Sequence, residues 1–217
     1  MSPDNDDDSE KNHMVRHSIN LRAAKPTLDE GLVFAHYVDV AAEGFFRFML
    51  GRRAADIIAT AFVQPDHDMS HQYVTFAERD NVIVGMFLCY TAEQHRRSSR
   101  QPLKQAAGRR NIRMRTVQIL FTPMTRITDS IADGDFYLLF IAVDKALRGD
   151  GVGSVLMDSF EERARTSGST RISLDVSAKN EEARRFYERR GMTVESQWPK
   201  RLPLPVGLRF YRMTKTL

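Results

Sequence analysis

The run Val143-Asp144-Lys145-Ala146-Leu147-Arg148-Gly149-Asp150-Gly151-Val152-Gly153-Ser154 places three glycines behind an apolar stretch and ahead of a helical pattern. Glycines this close together let backbone N–H groups approach an anion without interference from Cβ. A helix that starts there adds the partial positive charge of its N-terminus. The chemistry on offer is the grip of a phosphate or pyrophosphate; the plainer reading is a tight turn before an ordinary helix. Two phosphate motifs fail. A P-loop needs G-x-x-x-x-G-K-[ST], and no lysine precedes Ser154. The dinucleotide pattern G-x-G-x-x-G fails because Gly149 and Gly151 are followed by Ser154, and Gly151 and Gly153 by Leu156. Arg148-Gly149-Asp150 spells the integrin tripeptide, a coincidence in a strand–turn–helix setting. What remains is Arg148-x-x-Gly151-x-Gly153.

A second constellation lies downstream of the apolar strand Ile172–Val176: Asn180, Ala183, Phe186 and Tyr187, then Gly191-Met192. Alone, Asn180 reads as a helix N-cap and Tyr187 as a core aromatic at helical spacing. Taken together, the two segments resemble the GNAT superfamily of N-acetyltransferases, whose Q/R-x-x-G-x-G/A loop binds the pyrophosphate of acetyl-CoA. That family has an Asn opening the second helix and a Tyr shortly before a Gly-Phe pair. Element order and length resemble the family across about residues 18–217. The chain departs from the pattern at Lys145, where Pro is common, at Met192 in place of Phe, and at Asp150, whose carboxylate would repel a bound pyrophosphate unless it points away.

The resemblance implies roles residue by residue. The backbone around Ile141, Ala142 and Val143 would pair with the pantetheine arm where the central sheet splays. Arg148, Gly149, Asp150, Gly151, Val152, Gly153 and Ser154 would hold the pyrophosphate. Asn180 would hydrogen-bond the cofactor, beside Ala183 and Phe186 on the same helix, and Tyr187 would lie near the thioester sulfur. The family's amine attacks the acetyl carbonyl directly, with no acyl-enzyme. General chemistry adds two requirements. An alkylammonium with a pKa of about 10 must lose a proton before it attacks, so a base or water relay is needed. A thiolate with a pKa near 8.5 is a weaker base than a tyrosinate at about 10, so Tyr187 suits a hydrogen-bond donor to sulfur rather than a full acid. Candidate bases are Asp39, Glu43, Glu78, Asp133 and Asp135, of which we single out Glu78 and Asp135. For each, a solvated or capping carboxylate is the plainer role.

These residues need elements to hold them. Ile19, Leu21 and Ala23 alternate as in a short strand. Residues 28–62 carry helical spacing through Phe34, Tyr37, Val38, Phe45, Phe48 and Met49, with a break at Gly51 before a second helix at Ala54–Phe62. Tyr73–Ala77 and Val82–Tyr90 read as a hairpin turning at Arg79-Asp80-Asn81. Val117, Leu120, Phe121, Met124, Ile127 and Ile131 predict an amphipathic helix kinked near Pro123. Phe136–Val143 is uninterrupted apolar chain, as in a central strand buried on both faces. A helix over 151–167, a strand at Arg171–Val176, a helix from Asn180 to Arg190 stopped by Gly191, and a closing strand at Leu208–Thr214 complete the order. The expectation is one α/β domain: a mixed, mostly antiparallel sheet flanked by helices, with a helical basic insertion at about 93–134 before the cofactor-binding strand.

Composition bounds the rest. The chain has 217 residues, 42% hydrophobic and 28% charged, an ordinary globular balance. Residues 1–17 are polar and acidic, led by Asp4, Asp6, Asp7, Asp8 and Glu10, and read as a disordered leader. No apolar run approaches the roughly 20 residues that span a bilayer, and a lone cysteine, Cys89, builds neither a disulfide nor a Cys-rich metal site. A cytoplasmic protein with no metal and no membrane association is expected. The net charge of +4 is carried by one segment, since Arg96, Arg97, Arg100, Lys104, Arg109, Arg110, Arg113, Arg115 and Arg126 face no carboxylate between Glu93 and Asp129. That segment is a solvated insertion, or it recruits an acidic substrate or the cofactor's 3′-phosphate; without interleaved aromatics it is a poor nucleic-acid surface. The functional expectation is transfer of an acetyl group from acetyl-CoA to a primary amine, small-molecule or peptide, in a chain that could form a homodimer. The alternative is an acyl-CoA-binding or regulatory module with little catalysis. The insertion, the first helices and Leu202-Pro203-Leu204-Pro205 would shape the acceptor pocket.

Overall fold

The computed structural model describes residues 19–99, 101–108, 131–198 and 209–217. A short first strand, β1 (Asn20–Ala23), leads into α1 (Leu28–Ala41). Thr27 caps α1 by accepting the Glu30 N–H at 3.3 Å. The helical stretch breaks earlier than Gly51. Glu43 and Gly44 take left-handed φ values of 51° and 80°, and α2 (Phe45–Leu50) sets off in a new direction before α3 (Ala54–Phe62). Phe34, Tyr37, Val38 and Met49 enter the core as their spacing predicts, whereas Phe48 stays exposed.

β2 (Val74–Arg79) and β3 (Val82–Thr91) form the expected hairpin, with Asp80 and Asn81 both at left-handed φ (51° and 63°). Such a turn matches the twist of the strands it joins. Two helices follow, α4 (Ala92–Arg97), opened by a Thr91/Gln94 capping box, and α5 (Gln101–Ala107). Leu103, Ala106 and Ala107 pack into the main core, so this part of the basic segment is built into the domain. Of the helix predicted from Val117 to Ile131 only Ile131 is among the described residues, where it lies in no helix and packs against the main core; the acidic leader and the Leu202–Pro205 segment lie outside them.

The second half of the chain supplies β4 (Asp135–Val143), α6 (Val152–Thr166), β5 (Arg171–Ser177), α7 (Glu181–Arg189), β6 (Thr193–Trp198) and β7 (Phe210–Thr216). The seven strands form one sheet in the order β1-β2-β3-β4-β5-β7-β6, antiparallel except for β4 and β5. This is the mixed α/β fold expected from sequence, with β6 as an unanticipated addition. Side chains alternate between two cores. Tyr90, Tyr137, Leu88 and Phe76 join α1, α2 and α3 on one face, while Leu138, Phe136, Leu174 and Met213 join α6 and Tyr187 on the other.

The functional consequence lies in the middle of the sheet. β4 and β5 pair only from Asp135↔Arg171 to Leu138↔Leu174, and then they part. β4 stays on β3 as far as Val143↔Gly85, with a bulge at Leu139. Gly85 is required there, because a Cβ would meet the Ala142 carbonyl oxygen at 2.9 Å.

Candidate active site

Parting strands leave the β5-facing backbone groups of β4 beyond Leu138 without a pairing strand among the described residues. The fork opens into a cavity of about 840 Å³ lined from both faces of the sheet: by the α1–α2 turn on one side and by α6 and α7 on the other. Ile141, Ala142, Val143, Arg148, Gly149, Gly151, Gly153, Ser154, Asn180, Ala183, Phe186 and Tyr187 all line it. The two sequence segments therefore meet at one site.

The glycine loop is shaped for an anion. Gly149 and Gly151 sit at φ values of 93° and 82°, in the region that disfavours any Cβ. Gly151 caps α6 with no side-chain hydrogen bond, and the first turn of α6 holds no acidic residue. Among the described residues, the Gly151, Val152 and Gly153 amides find no acceptor. A helix N-terminus left in this state fits a pyrophosphate. Upstream, the Tyr37 hydroxyl bonds Asp144 Oδ1 at 2.9 Å and so ties the start of the loop to α1.

Two loop residues do not line the cavity. Val152, the first residue of α6, is fully buried in the core. Asp150 turns away from the cavity, its carboxylate 3.6 Å from Arg79 Nη1, and that positive charge offsets part of the repulsion its own charge threatened. Asn180 caps α7, its Oδ1 accepting the Ala183 N–H at 3.1 Å, while still lining the cavity. Tyr187 is buried against α6, and burial pushes its hydroxyl well above the usual tyrosine range. It therefore remains protonated and able to donate.

Neither singled-out carboxylate reaches the cleft. Glu78 accepts Arg22 Nε at 2.7 Å on the β1–β2 side of the sheet. Asp135, 1% exposed at the start of β4, accepts Arg171 Nε and Nη2 at 2.6 and 3.0 Å. Both are structural ion pairs. Glu43 does line the cavity, in an ion pair with Lys179.

The carboxylate at the fork is Asp175, the first β5 residue past the last β4 pair. Its oxygens accept Arg212 Nε at 2.9 Å and Nη2 at 2.8 Å, and Oδ2 also accepts the Tyr137 hydroxyl at 2.8 Å. Burial raises its pKa against the opposing pull of Arg212 and of the Tyr137 hydrogen bond. Sequence reasoning missed this trio. Tyr137 and Asp175 sat inside runs read as strands, and only the register of β4, β5 and β7 brings them to Arg212. Among the described residues no group of three His, Cys, Asp or Glu is placed to hold a metal, and no helix is long and apolar enough to cross a membrane.

A helix start open to an anion thus sits beside a forked sheet, with one cavity joining them. Residues 43–192 match the family described as "Acetyltransferase (GNAT) family", and the chain belongs to that family. Solved structures agree on the fold. An acetyltransferase superimposes with a TM-score of 0.63 at 22% identity, over 91% of this chain and 98% of that one. An N-acetyltransferase from Staphylococcus aureus Mu50 gives 0.62 at 18%, over 90% and 100%. Naa50 from Arabidopsis thaliana, solved in complex with the bisubstrate analogue CoA-Ac-MVNAL, gives 0.51 at 16%, over 92% and 99%. No curated protein matches the chain in sequence.

Proposed function

We propose that this chain is an acetyl-CoA-dependent N-acetyltransferase that passes the acetyl group directly to a primary amine, with no acyl-enzyme. One observation carries the reading: a single cavity runs through the fork, with the open α6 N-terminus and Tyr187 on one face and the Asp175–Tyr137 pair on the other. Backbone groups of Ile141 to Val143 hold the pantetheine arm as a guest strand, and the amides from Gly149 to Ser154 hold the pyrophosphate. Arg148 adds its charge there. Bound in this way, acetyl-CoA supplies a thioester carbonyl to be attacked.

The protein's remaining task is to take the first of the ammonium's two departing protons and to steady the leaving group. The freed amine nitrogen bonds to the carbonyl carbon as the carbon–sulfur bond breaks, and the nitrogen's second proton passes to the departing thiolate, which leaves as free CoA. Asp175, made more basic by burial, takes the ammonium proton directly or through the Tyr137 hydroxyl, which accepts that proton as it gives its own to the carboxylate. Arg212 keeps the carboxylate oriented. Tyr187 donates a hydrogen bond toward the departing sulfur.

The test pairs calorimetric titration with acetyl-CoA against a Gly151→Glu variant and a screen of amines for release of free CoA. Micromolar binding that disappears in the variant, with amine-dependent thiol release, is the expected result. Binding without release under any amine reduces the protein to an acyl-CoA-binding module. No binding by the wild-type chain overturns the proposal.

A further inference from the structure

The side of the fork opposite the glycine loop is chemically one-sided. Phe140 of β4 meets the Phe46 ring of α2 edge-on at 6.0 Å, and Phe46 in turn meets Phe45 at 5.7 Å. Phe210 stands two residues before Arg212 on β7 and therefore shares the face on which Arg212 grips Asp175. All four phenylalanines line the cavity around the Asp175–Tyr137 pair. Charge on this side is already spent: Asp175 is held by Arg212, and Glu43 by Lys179. Glu182, the other lining carboxylate among the described residues, belongs to α7 across the sheet. A second ammonium in this half of the cavity would thus be desolvated with no carboxylate among the described residues that is not already in an ion pair, which is unfavourable. An aromatic ring, by contrast, finds edges and faces already arranged for offset or edge-on packing.

Resting on the acetyltransferase reading above, we infer that the acceptor is a small, singly charged primary amine bearing an aromatic or bulky apolar group a few bonds from its nitrogen. Its ring lies against Phe46, Phe140 and Phe210, and its nitrogen faces Tyr137 and Asp175. A polyamine or amino sugar is disfavoured by the same wall.

Initial rates of CoA release with phenethylamine, ethylamine and spermidine at saturating acetyl-CoA test this. Phenethylamine should exceed both others by at least tenfold in kcat/KM, the order of discrimination an apolar pocket provides. Phe140→Ala should lower the phenethylamine value by tenfold or more and the ethylamine value by less than threefold. Its acetyl-CoA affinity, within about threefold of wild type, shows that the variant is folded. Equal or better use of spermidine or ethylamine overturns the inference, as does a Phe140→Ala variant that slows all amines alike. If acetyl-CoA binds but no amine releases CoA, amine titrations of the protein–CoA complex decide: the same ranking supports the pocket assignment, and no preference for phenethylamine overturns it. Failure to bind acetyl-CoA at all overturns the enzyme reading beneath it, a separate outcome.

Discussion

At the residue scale, Asp175 is caught between opposing influences. Arg212 and Tyr137 favour its charged form, burial favours the neutral one, and burial prevails. A base so placed imposes a pH dependence with a definite sign. In the mechanism proposed above Asp175 must be ionised to take the proton, so kcat/KM should fall as pH drops through a pKa above the usual carboxylate range. Asp175→Asn should lower kcat/KM by about 10²–10⁴-fold and abolish that acidic limb. It also breaks the buried Asp175–Arg212 ion pair and should lower the unfolding midpoint. An acidic limb that survives in folded Asp175→Asn protein places the base elsewhere. Tyr187→Phe should cut kcat by about 10²-fold with acetyl-CoA affinity unchanged within twofold, read by turnover and calorimetry together. The glycine turn before α6, the Asn180 cap and the place of Tyr187 on α7 can be read from the sequence because their geometry is local. Asp175, Tyr137 and Arg212 cannot be. Their contacts span 38 and 37 residues and exist only through strand register. The same register pairs Asp135 with Arg171 and so removes a carboxylate that looked free in sequence.

At the scale of elements, the site depends on two backbone decisions. Gly151 enters α6 at φ 82°, so Gly151→Ala forces a left-handed residue at a cost of about 1–2 kcal/mol and displaces the amides meant for the anion. A lowered unfolding midpoint together with weaker acetyl-CoA binding is the expected pair of results. Gly31 lets α1 lie against α3. A Cβ there would meet the Ala59 Cα and carbonyl oxygen at 2.9 Å, so Gly31→Ala should destabilise the fold by roughly 1–3 kcal/mol in a denaturant titration. Most elements could be read from periodicity because each buries one face. β6 could not: Thr193-Val194-Glu195-Ser196-Gln197-Trp198 is an edge strand, half exposed and bulged between Val194 and Ser196, and it shows no clean alternation. The break at Ala42–Gly44 was equally hidden, since Phe45 and Met49 continue the helical spacing across it. That break turns Phe45 and Phe46 towards the cavity.

At the scale of the molecule, titration and folding are linked. Complete burial pushes the Cys89 thiol up to about 12 from 9.0. A raised folded pKa means the native state holds a proton that the unfolded chain gives up sooner. The corresponding stability is intact below pH 9.0 and is lost as pH climbs from 9.0 towards 12. Buried Tyr90, Tyr137 and Tyr187 act with the same sign from 10.0 upward. Unfolding free energy should therefore decline through this alkaline window, and a thiol reagent at neutral pH should label the chain only once it is unfolded. The parted strands have a further consequence, which concerns cooperativity. Four residue pairs are all that stitch β4 to β5, so the sheet is two blocks joined by a short seam. Amides of Leu139 to Val143 that point into the fork should exchange hydrogen for deuterium faster than those facing β3. A pantetheine arm laid against β4 closes the open seam, so protection should rise there first. At a hundredfold excess over its dissociation constant, the ligand should stabilise the whole domain by about 2.7 kcal/mol. The substrate would then be the eighth strand of a sheet that the chain itself leaves unfinished.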